Sequence, residues 1–238
     1  KALGEETWGS RAGRCAEECL LLKNFTYIMM RLTRTPGATF DNDAKACYDR
    51  IVMALAALRT RHLGVPTEAC AMLTTFLEKA RYQVKTTVGV SEESYHSTPA
   101  NVLHGPGQGA KEASALWLVI SAMLIDLLHK KSNGIYFCDP QQSTSTKRIM
   151  DAFVDDTTAW TNFFMESFTD NDEHVLDKIA NELSKTAQWW EELLVASGGK
   201  LELPKCFYYI IKWTFNKHGD PMIGPDPTTP IVITDHTI

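Results

Sequence analysis

A chain of 238 residues with 44% hydrophobic and 22% charged side chains can bury a sizeable core as one large domain or two small ones, which excludes a disordered or low-complexity protein. Six cysteines without a Cys-x-x-Cys pair or matching histidine spacing exclude a zinc module and a disulfide framework. Cys15, Cys19, Cys47, Cys70, Cys138 and Cys206 therefore read as reduced packing residues of an intracellular compartment, nucleus or cytoplasm. The formal charge of −5 counts against a protein that binds through phosphate contacts alone. Basic residues do gather at Arg11, Arg14, Arg31 and Arg34 and again at Arg50, Arg59, Arg61, Lys79 and Arg81, where a solvated helix face is the ordinary reading.

Apolar positions recur at helical spacing from Ala16 to Leu32, and Pro36-Gly37 closes that segment. A strand is expected from Ala38 to Asp43, in which alternation sends Thr39, Asp41 and Asp43 to one face and Phe40 and Asn42 to the other. Helical patterns run from about Ala44 to Arg61 and from Thr67 to Arg81, separated by Gly64-Val65-Pro66 with Thr67 as N-cap. Tyr82 to Val90 alternates as a strand, and the loop-rich stretch from Ser91 to Gly109 leads into a long helix from Ala110 to Lys130. The apolar run Ala113 to Leu128 inside that helix is shorter than the ~20 residues a bilayer needs and contains Asp126, so a buried helix is expected and no membrane.

Ile135 to Cys138 and Ile149 to Val154 are strand candidates, with Thr157 to Trp160 returning after a turn at Asp155-Asp156. A helix from Asp172 to Ala196 ends at Gly198-Gly199, and a strand from Phe207 to Phe215 has a hairpin partner after His218-Gly219-Asp220-Pro221. None of the seven histidines has ligand spacing. Trp189, Trp190 and Trp213 read as core, with base stacking as the alternative. The chain opens on Lys1, shows no signal peptide and ends in the strand-like Ile231-Val232-Ile233, so a fragment of a longer protein is expected.

The chemistry resides in carboxylates. Phe153-Val154-Asp155-Asp156 places two acids at the end of an apolar run, and Asp41 and Asp43 sit on one strand face far upstream. Hard divalent cations take oxygen ligands, and two ions ~3.5–4 Å apart can clamp the attacking and leaving oxygens of an in-line phosphoryl transfer. An Asp-Asp pair alone is more often a turn, because aspartate bonds its own backbone; the combination with the upstream acids points to a two-metal site.

Read in order, these stretches resemble the palm motifs of reverse transcriptases. Asp43-Ala44-Lys45-Ala46-Cys47-Tyr48-Asp49 is similar to the first motif, Gly107-Gln108-Gly109 to the second, Phe153-Val154-Asp155-Asp156 to the third, and Ser197 through Lys205 to the fourth. Asp43 to Ile51 is closest in flavour to the non-LTR retrotransposon and group II intron type, and the likeness covers Trp8 to Trp213. One departure is Ala113-Ser114 where the family carries a Ser-Pro pair.

The resemblance implies an α+β right-hand polymerase palm, an antiparallel sheet backed by helices, with part of the fingers. Residues 1–37 would be partial fingers and 38–215 palm, with fingers elements inserted within about 60–110; 216–238 would begin a following segment. It also implies RNA-directed DNA synthesis, with Asp43, Asp155 and Asp156 holding two Mg²⁺ or Mn²⁺ ions. Asp43 is preferred over Asp41 because the aromatic gate of the family lies five positions after the ligand, which is Tyr48 from Asp43 and Ala46 from Asp41. Asp41 then becomes a surface strand residue or a supporting acid.

Tyr48, a core aromatic by default, would bar a 2′-hydroxyl; Gln108 and Gly109 would steady the templating or incoming base. Lys205 would protonate the departing pyrophosphate, a snorkelling surface lysine being its other reading, and Arg11 would pair with phosphate oxygens. The implied partners are an RNA template, a DNA primer or RNA–DNA hybrid, and deoxynucleoside triphosphates. A catalytically decayed palm that binds nucleic acid or protein is the rival, favoured by the acidic charge; an RNA-templated RNA polymerase is disfavoured by Tyr48.

Overall fold

A computed structural model of the chain describes residues 3–139, 141–162, 175–224, 231–233 and 236–237. In chain order the elements are α1 (Ala16–Thr33), β1 (Gly37–Asp43), a 3-10 turn (Cys47–Arg50), α2 (Met53–His62) and α3 (Thr67–Lys79). Four two-residue strands follow, β2 (Arg81–Tyr82), β3 (Lys85–Thr86), β4 (Gly89–Val90) and β5 (Tyr95–His96), then α4 (Ala113–Lys131), β6 (Ile135–Cys138), β7 (Ser145–Arg148), β8 (Met150–Phe153) and β9 (Asp156–Thr161). The chain continues through α5 (Val175–Ala196), a 3-10 turn (Leu203–Lys205), β10 (Phe207–Ile211), β11 (Trp213–Phe215), β12 (Pro221–Ile223), β13 (Val232–Ile233) and β14 (His236–Thr237).

The central sheet is antiparallel with strand order β10-β1-β9-β8. β1 lies inside it, and its residues from Gly37 to Asn42 are all buried. Alternation divides the strand as its sequence requires. Ala38 and Phe40 face a core built with α4 and α5, shared with Ile120, Leu124, Met150, Ala159, Ile179 and Trp190. Under α1, on the opposite side, Met30, Ile135, Phe137, Trp160 and Ile211 form a smaller cluster joined by Tyr27. This is a palm-like α+β fold, as expected.

Each main helix buries what its pattern dictates. In α5 the buried positions Ile179, Leu183, Thr186, Ala187, Trp190 and Leu194 fall on one stripe. α4 is long and apolar enough to cross a membrane by composition, yet Leu116, Trp117, Ile120, Leu124, Ile125 and Leu128 are all packed inside the fold. Gly198 (φ +92°) ends α5: its N–H donates to Val195 O at 3.0 Å and the Gly199 N–H to Leu194 O at 2.7 Å, which closes the helix with a left-handed residue.

Several boundaries differ from expectation. In place of the helix expected from Ala44, Ala44 makes an isolated bridge to Leu201, the Lys45 N–H donates to Lys200 O at 2.8 Å, and the chain turns at Ala46 (φ +46°). Helical propensity at Ala44-Lys45-Ala46 yields to this pairing. Pro66, not Thr67, caps α3. Tyr82 to Val90 is three short strands, β3 and β4 forming a hairpin, because turns at each end leave no continuous partner. Phe207 to Phe215 is broken at Lys212 into β10, which pairs with β1, and β11, which pairs with β12. The expected helix start at Asp172 lies outside the described residues. All six cysteines are free; Cys47, Cys70 and Cys206 are buried packing residues, whereas Cys15 and Cys138 are exposed because they lie at a helix start and a hairpin end.

Gly198 also carries a close approach. A Cβ there would lie 2.3 Å from Arg50 O, beside the turn that holds Tyr48. Gly198→Ala is expected to lower unfolding free energy by about 2 kcal/mol or more, strain and clash together, read as a reduced urea midpoint at unchanged slope.

Candidate active site

The site begins where three chain segments end together. β8 and β9 form a hairpin whose last pair is Phe153 opposite Asp156, so Val154 and Asp155 are its two-residue turn. Val154 adopts φ +61°, rare for a β-branched residue but required at the first position of a tight hairpin turn. Its environment compels this: the Trp117 indole N–H donates to Val154 O at 2.7 Å, and Gly9 presses so closely that a Cβ there would lie 2.3 Å from Val154 N. Residues 6–9 run along β8, with the Trp8 N–H donating to Ala152 O at 2.8 Å and the Ala152 N–H to Glu6 O at 2.9 Å. The Glu6 carboxylate accepts from Ile149 N at 2.8 Å and pairs with His129.

Asp43, the last residue of β1, stands directly opposite Asp156 in register. Cross-strand partners share a sheet face, so both carboxylates emerge on the face away from α4 and α5. The Glu202 N–H donates to Asp43 O at 3.0 Å, which brings the 3-10 turn beside β1 and sets the Lys205 ammonium against the Asp43 carboxylate. A cavity of about 190 Å³ is lined by Asp43, Cys47, Tyr48, Gln108, Asp155 and Lys205. Across Asp43 and Lys205 lies a second cavity of about 480 Å³, lined by Lys23, Asp41, Asp156, Thr158 and Phe207 among others.

The electrostatics are those of crowded acids. Asp156 is held above the usual carboxylate range, first by burial and then by the charges of Asp155 and Asp43, with Lys205 opposing. Cys47 is pushed up to about 12 by burial, with Asp155 next, and the Tyr48 phenol is raised by burial, Cys47 and Asp155. Lys205 is raised by its hydrogen bond to Asp43 and by that charge, so it is a cation at neutral pH. Asp43, Asp155 and Asp156 offer the hard oxygen donors that Mg²⁺ or Mn²⁺ takes, and their mutual repulsion favours added positive charge. Among the described residues no three such side chains yet close on a single point.

No protein-family model matches the chain, and no curated protein matches it. Among solved structures, telomerase from Candida tropicalis in complex with a fragment of telomeric RNA aligns with a TM-score of 0.52 at 12% identity, over 86% of this chain and 30% of the telomerase chain. The apo telomerase of the same organism, truncated from its C-terminal domain, aligns at 0.49 and 13% over 92% of this chain and 41% of that one. The chain has a reverse-transcriptase-like fold, and it spans less than half the length of these telomerase chains.

Of the residues singled out in the sequence, Asp43, Tyr48, Gln108, Asp155 and Lys205 line one cavity, and Asp156 lines the adjoining one. Gly109 (φ +92°) shapes the turn after Gln108 and lines neither. Arg11 donates to Gly4 O, Thr7 O and Thr7 Oγ1, bracing its own segment, and lines neither cavity. Asp41 is buried, not a surface residue: it accepts from Lys23 Nζ at 2.5 Å and from Thr158 Oγ1, because α1 lies across its end of the sheet.

Sequence reasoning missed Asp49, whose Oδ1 accepts from the Gln108 N–H at 3.0 Å. It also missed Gly105 (φ +70°), where a Cβ would lie 1.8 Å from Tyr48 O. These two contacts carry the Gln108 loop onto the Tyr48 turn; the Gly-rich composition of 105–109 was the available signal.

The raised Asp156 pKa has a sign. The folded chain binds that proton more tightly than the unfolded chain, so ionisation costs stability as pH rises through the folded-state value. In metal-free buffer Asp156→Asn is expected to raise Tm at pH 7, with the gain vanishing below the ordinary carboxylate range; melting curves from pH 3 to 7 in EDTA check this.

Proposed function

We propose that the chain is the palm region of an RNA-directed DNA polymerase, from a retrotransposon of the non-LTR or group II intron type. The observation that carries this reading is the registered pair Asp43 and Asp156 on adjacent strands, with Asp155 at the hairpin tip and Lys205 and Tyr48 beside them. The telomerase that aligns with the chain is in complex with RNA, which supports nucleic acid as a partner here. The retroelement type rests on the spacing from Asp43 to Ile51.

In the reaction a primer 3′-oxygen bonds to the α-phosphorus of a deoxynucleoside triphosphate while the bridge to the β-phosphate breaks, and the 3′-hydroxyl proton leaves to solvent. Two Mg²⁺ ions on Asp43 and Asp155, with Asp156 in support, would supply charge neutralisation at the entering and departing oxygens. Lys205 carries a proton at neutral pH and stands at the rim shared by both cavities, where it can hand that proton to pyrophosphate. Tyr48 and the Gln108 loop, tied to Asp49, line the same cavity as Asp155 and Lys205. A second reading, a palm that binds without chemistry, draws on the Lys205 contact with Asp43, which competes with a metal for that carboxylate. Titration of Mn²⁺ into the parent and an Asp43→Asn/Asp155→Asn variant separates the two, since only a live site gives a difference.

Asp155→Asn keeps the side-chain shape and deletes a ligand charge. Mg²⁺-dependent primer extension on RNA is expected to fall by more than the roughly 10–100-fold that loss of an outer-sphere partner costs, without loss of thermal stability; extension at the parental rate would refute the metal assignment. Tyr48→Val is expected to lower discrimination against ribonucleotides, measured as the ratio of kcat/KM values for paired deoxy- and ribonucleotides. An unchanged ratio with a large drop in Tm would instead make Tyr48 a packing residue, for which truncation costs about 3–5 kcal/mol.

A further inference from the structure

α1 turns its apolar stripe away from the protein it packs against. Toward the sheet it presents the buried Thr26 and Met30 and the Lys23 ammonium that pairs with Asp41. Leu21, Phe25, Ile28 and Leu32 point the other way and are 53%, 50%, 40% and 68% exposed. At 3.6 residues per turn these four fall within an arc of roughly 60°, centred opposite Met30. A surface helix ordinarily lays such a stripe on the core, and exposed apolar residues are unremarkable only when scattered singly. Successive steps of four, three and four positions are also the spacing of a two-helix seam.

We propose that a second copy of the chain covers this stripe, its α1 packed antiparallel about a two-fold axis, an inference that goes beyond the polymerase reading and does not rest on it. The charges beside the stripe select that occupant. Glu17, Asn24 and Arg31, all exposed, recur every seven residues down one flank, with the acid in the first turn of the helix and the base in the last. A two-fold axis near Asn24 and Phe25 sets Glu17 of one copy beside Arg31 of the other, twice, with Phe25 against Phe25 and Leu21 against Ile28. Parallel packing would oppose Glu17 to Glu17 and Arg31 to Arg31. Antiparallel packing also lays each helix N-terminus beside the other's C-terminus, as the macrodipoles favour.

Other covers match the helix less well. A membrane-surface helix carries a basic polar face, whereas α1 directs Lys23 into the protein and opens on Glu17 and Glu18, acids that also repel nucleic-acid phosphates. Because α1 is already held on the sheet, association orders no new helix. Four apolar residues a side are far fewer than the roughly 20–30 of a standard interface, so the dimer exchanges with monomer at micromolar concentration or above.

Sedimentation velocity on the whole chain, from about 1 to about 500 μM, reads the assembly. The mass is expected to rise with concentration from 26.7 kDa toward twice that value. Phe25→Glu, at an exposed position on the two-fold axis, is expected to weaken the dimer roughly 100-fold or more at parental Tm. Glu17→Arg and Arg31→Glu each oppose like charges twice and are expected to weaken it roughly tenfold, with a larger effect at low salt. Glu17→Arg/Arg31→Glu restores both pairs and should return Kd to within about threefold of the parent.

If Phe25→Glu does not fold, the charge variants decide the matter on the same readout. A mass of 26.7 kDa at every concentration would overturn the proposal, as would a dimer whose Kd is untouched by Phe25→Glu in a protein of parental Tm. Single charge variants that dimerise as the parent does would also overturn it, and so would weakened singles with no recovery in the double variant. Recovery in the double variant upholds the antiparallel seam, since parallel helices would not bring the two positions together.

Discussion

Everything at the candidate site depends on one buried side chain, Asn42. Its Oδ1 accepts from Thr157 Oγ1 at 2.6 Å and from the Trp190 indole N–H at 2.8 Å, and its amide donates to Phe40 O and Thr157 O. A single amide thus joins β1, β9 and α5 on the core side of the sheet. Because strand faces alternate with a period of two, a slip of one residue between β1 and β9 would bury Asp43 and turn Asn42 outward. The unmet hydrogen bonds of Asn42, Thr157 and Trp190 would penalise that slip, since a buried polar group without a partner costs about 1–3 kcal/mol. The register that opposes Asp43 to Asp156 is therefore enforced by hydrogen bonds made on the core side of the sheet.

A second polar layer secures the open face. Lys23 reaches from α1 to Asp41 and Thr158, and Asp151, buried on the neighbouring strand, pairs with Arg148 and accepts from the Trp160 indole at 2.7 Å. Burial pushes the Asp151 carboxyl up despite the Arg148 guanidinium. These acids are committed to protein partners, which leaves Asp43, Asp155 and Asp156 as the carboxylates that surround the cavities without a structural tie other than Lys205. Three crowded acids are costly for a resting fold, and the raised proton affinity of Asp156 records that cost.

Much of this was legible in the sequence, for physical reasons. Pro36-Gly37 and strict alternation mark β1, and the apolar density of residues 113–128 marks a buried helix. The stop at Gly198-Gly199 announces a left-handed helix end. The order of the four motifs reports the palm-like arrangement. What was not legible is long-range. Ala44-Lys45-Ala46 carries helical propensity and becomes a bridge and a turn because residues 200–202, more than 150 positions away, bond this stretch. Asn42, Glu6 and Gly9 have ordinary local contexts, and their roles exist only once distant backbone is brought against them. Arg11 braces its own segment through Gly4 and Thr7, contacts that its position in the sequence does not announce.

The bracing of Val154 bears on how this hairpin can be inherited. A β-branched residue in the left-handed region is held by an indole from α4, by the flat back of Gly9 and by residues 6–9 laid along β8. The turn that presents Asp155 is thus assembled from three segments, with Trp117 37 positions before Val154 and residues 6–9 far earlier still. Such a hairpin is not a portable cassette: transplanted into another sheet it would relax to a turn with the carboxylate aimed elsewhere. Lineages carrying it would be expected to exchange their surface insertions, such as the small hairpins between α3 and α4, far more freely than residues 6–9.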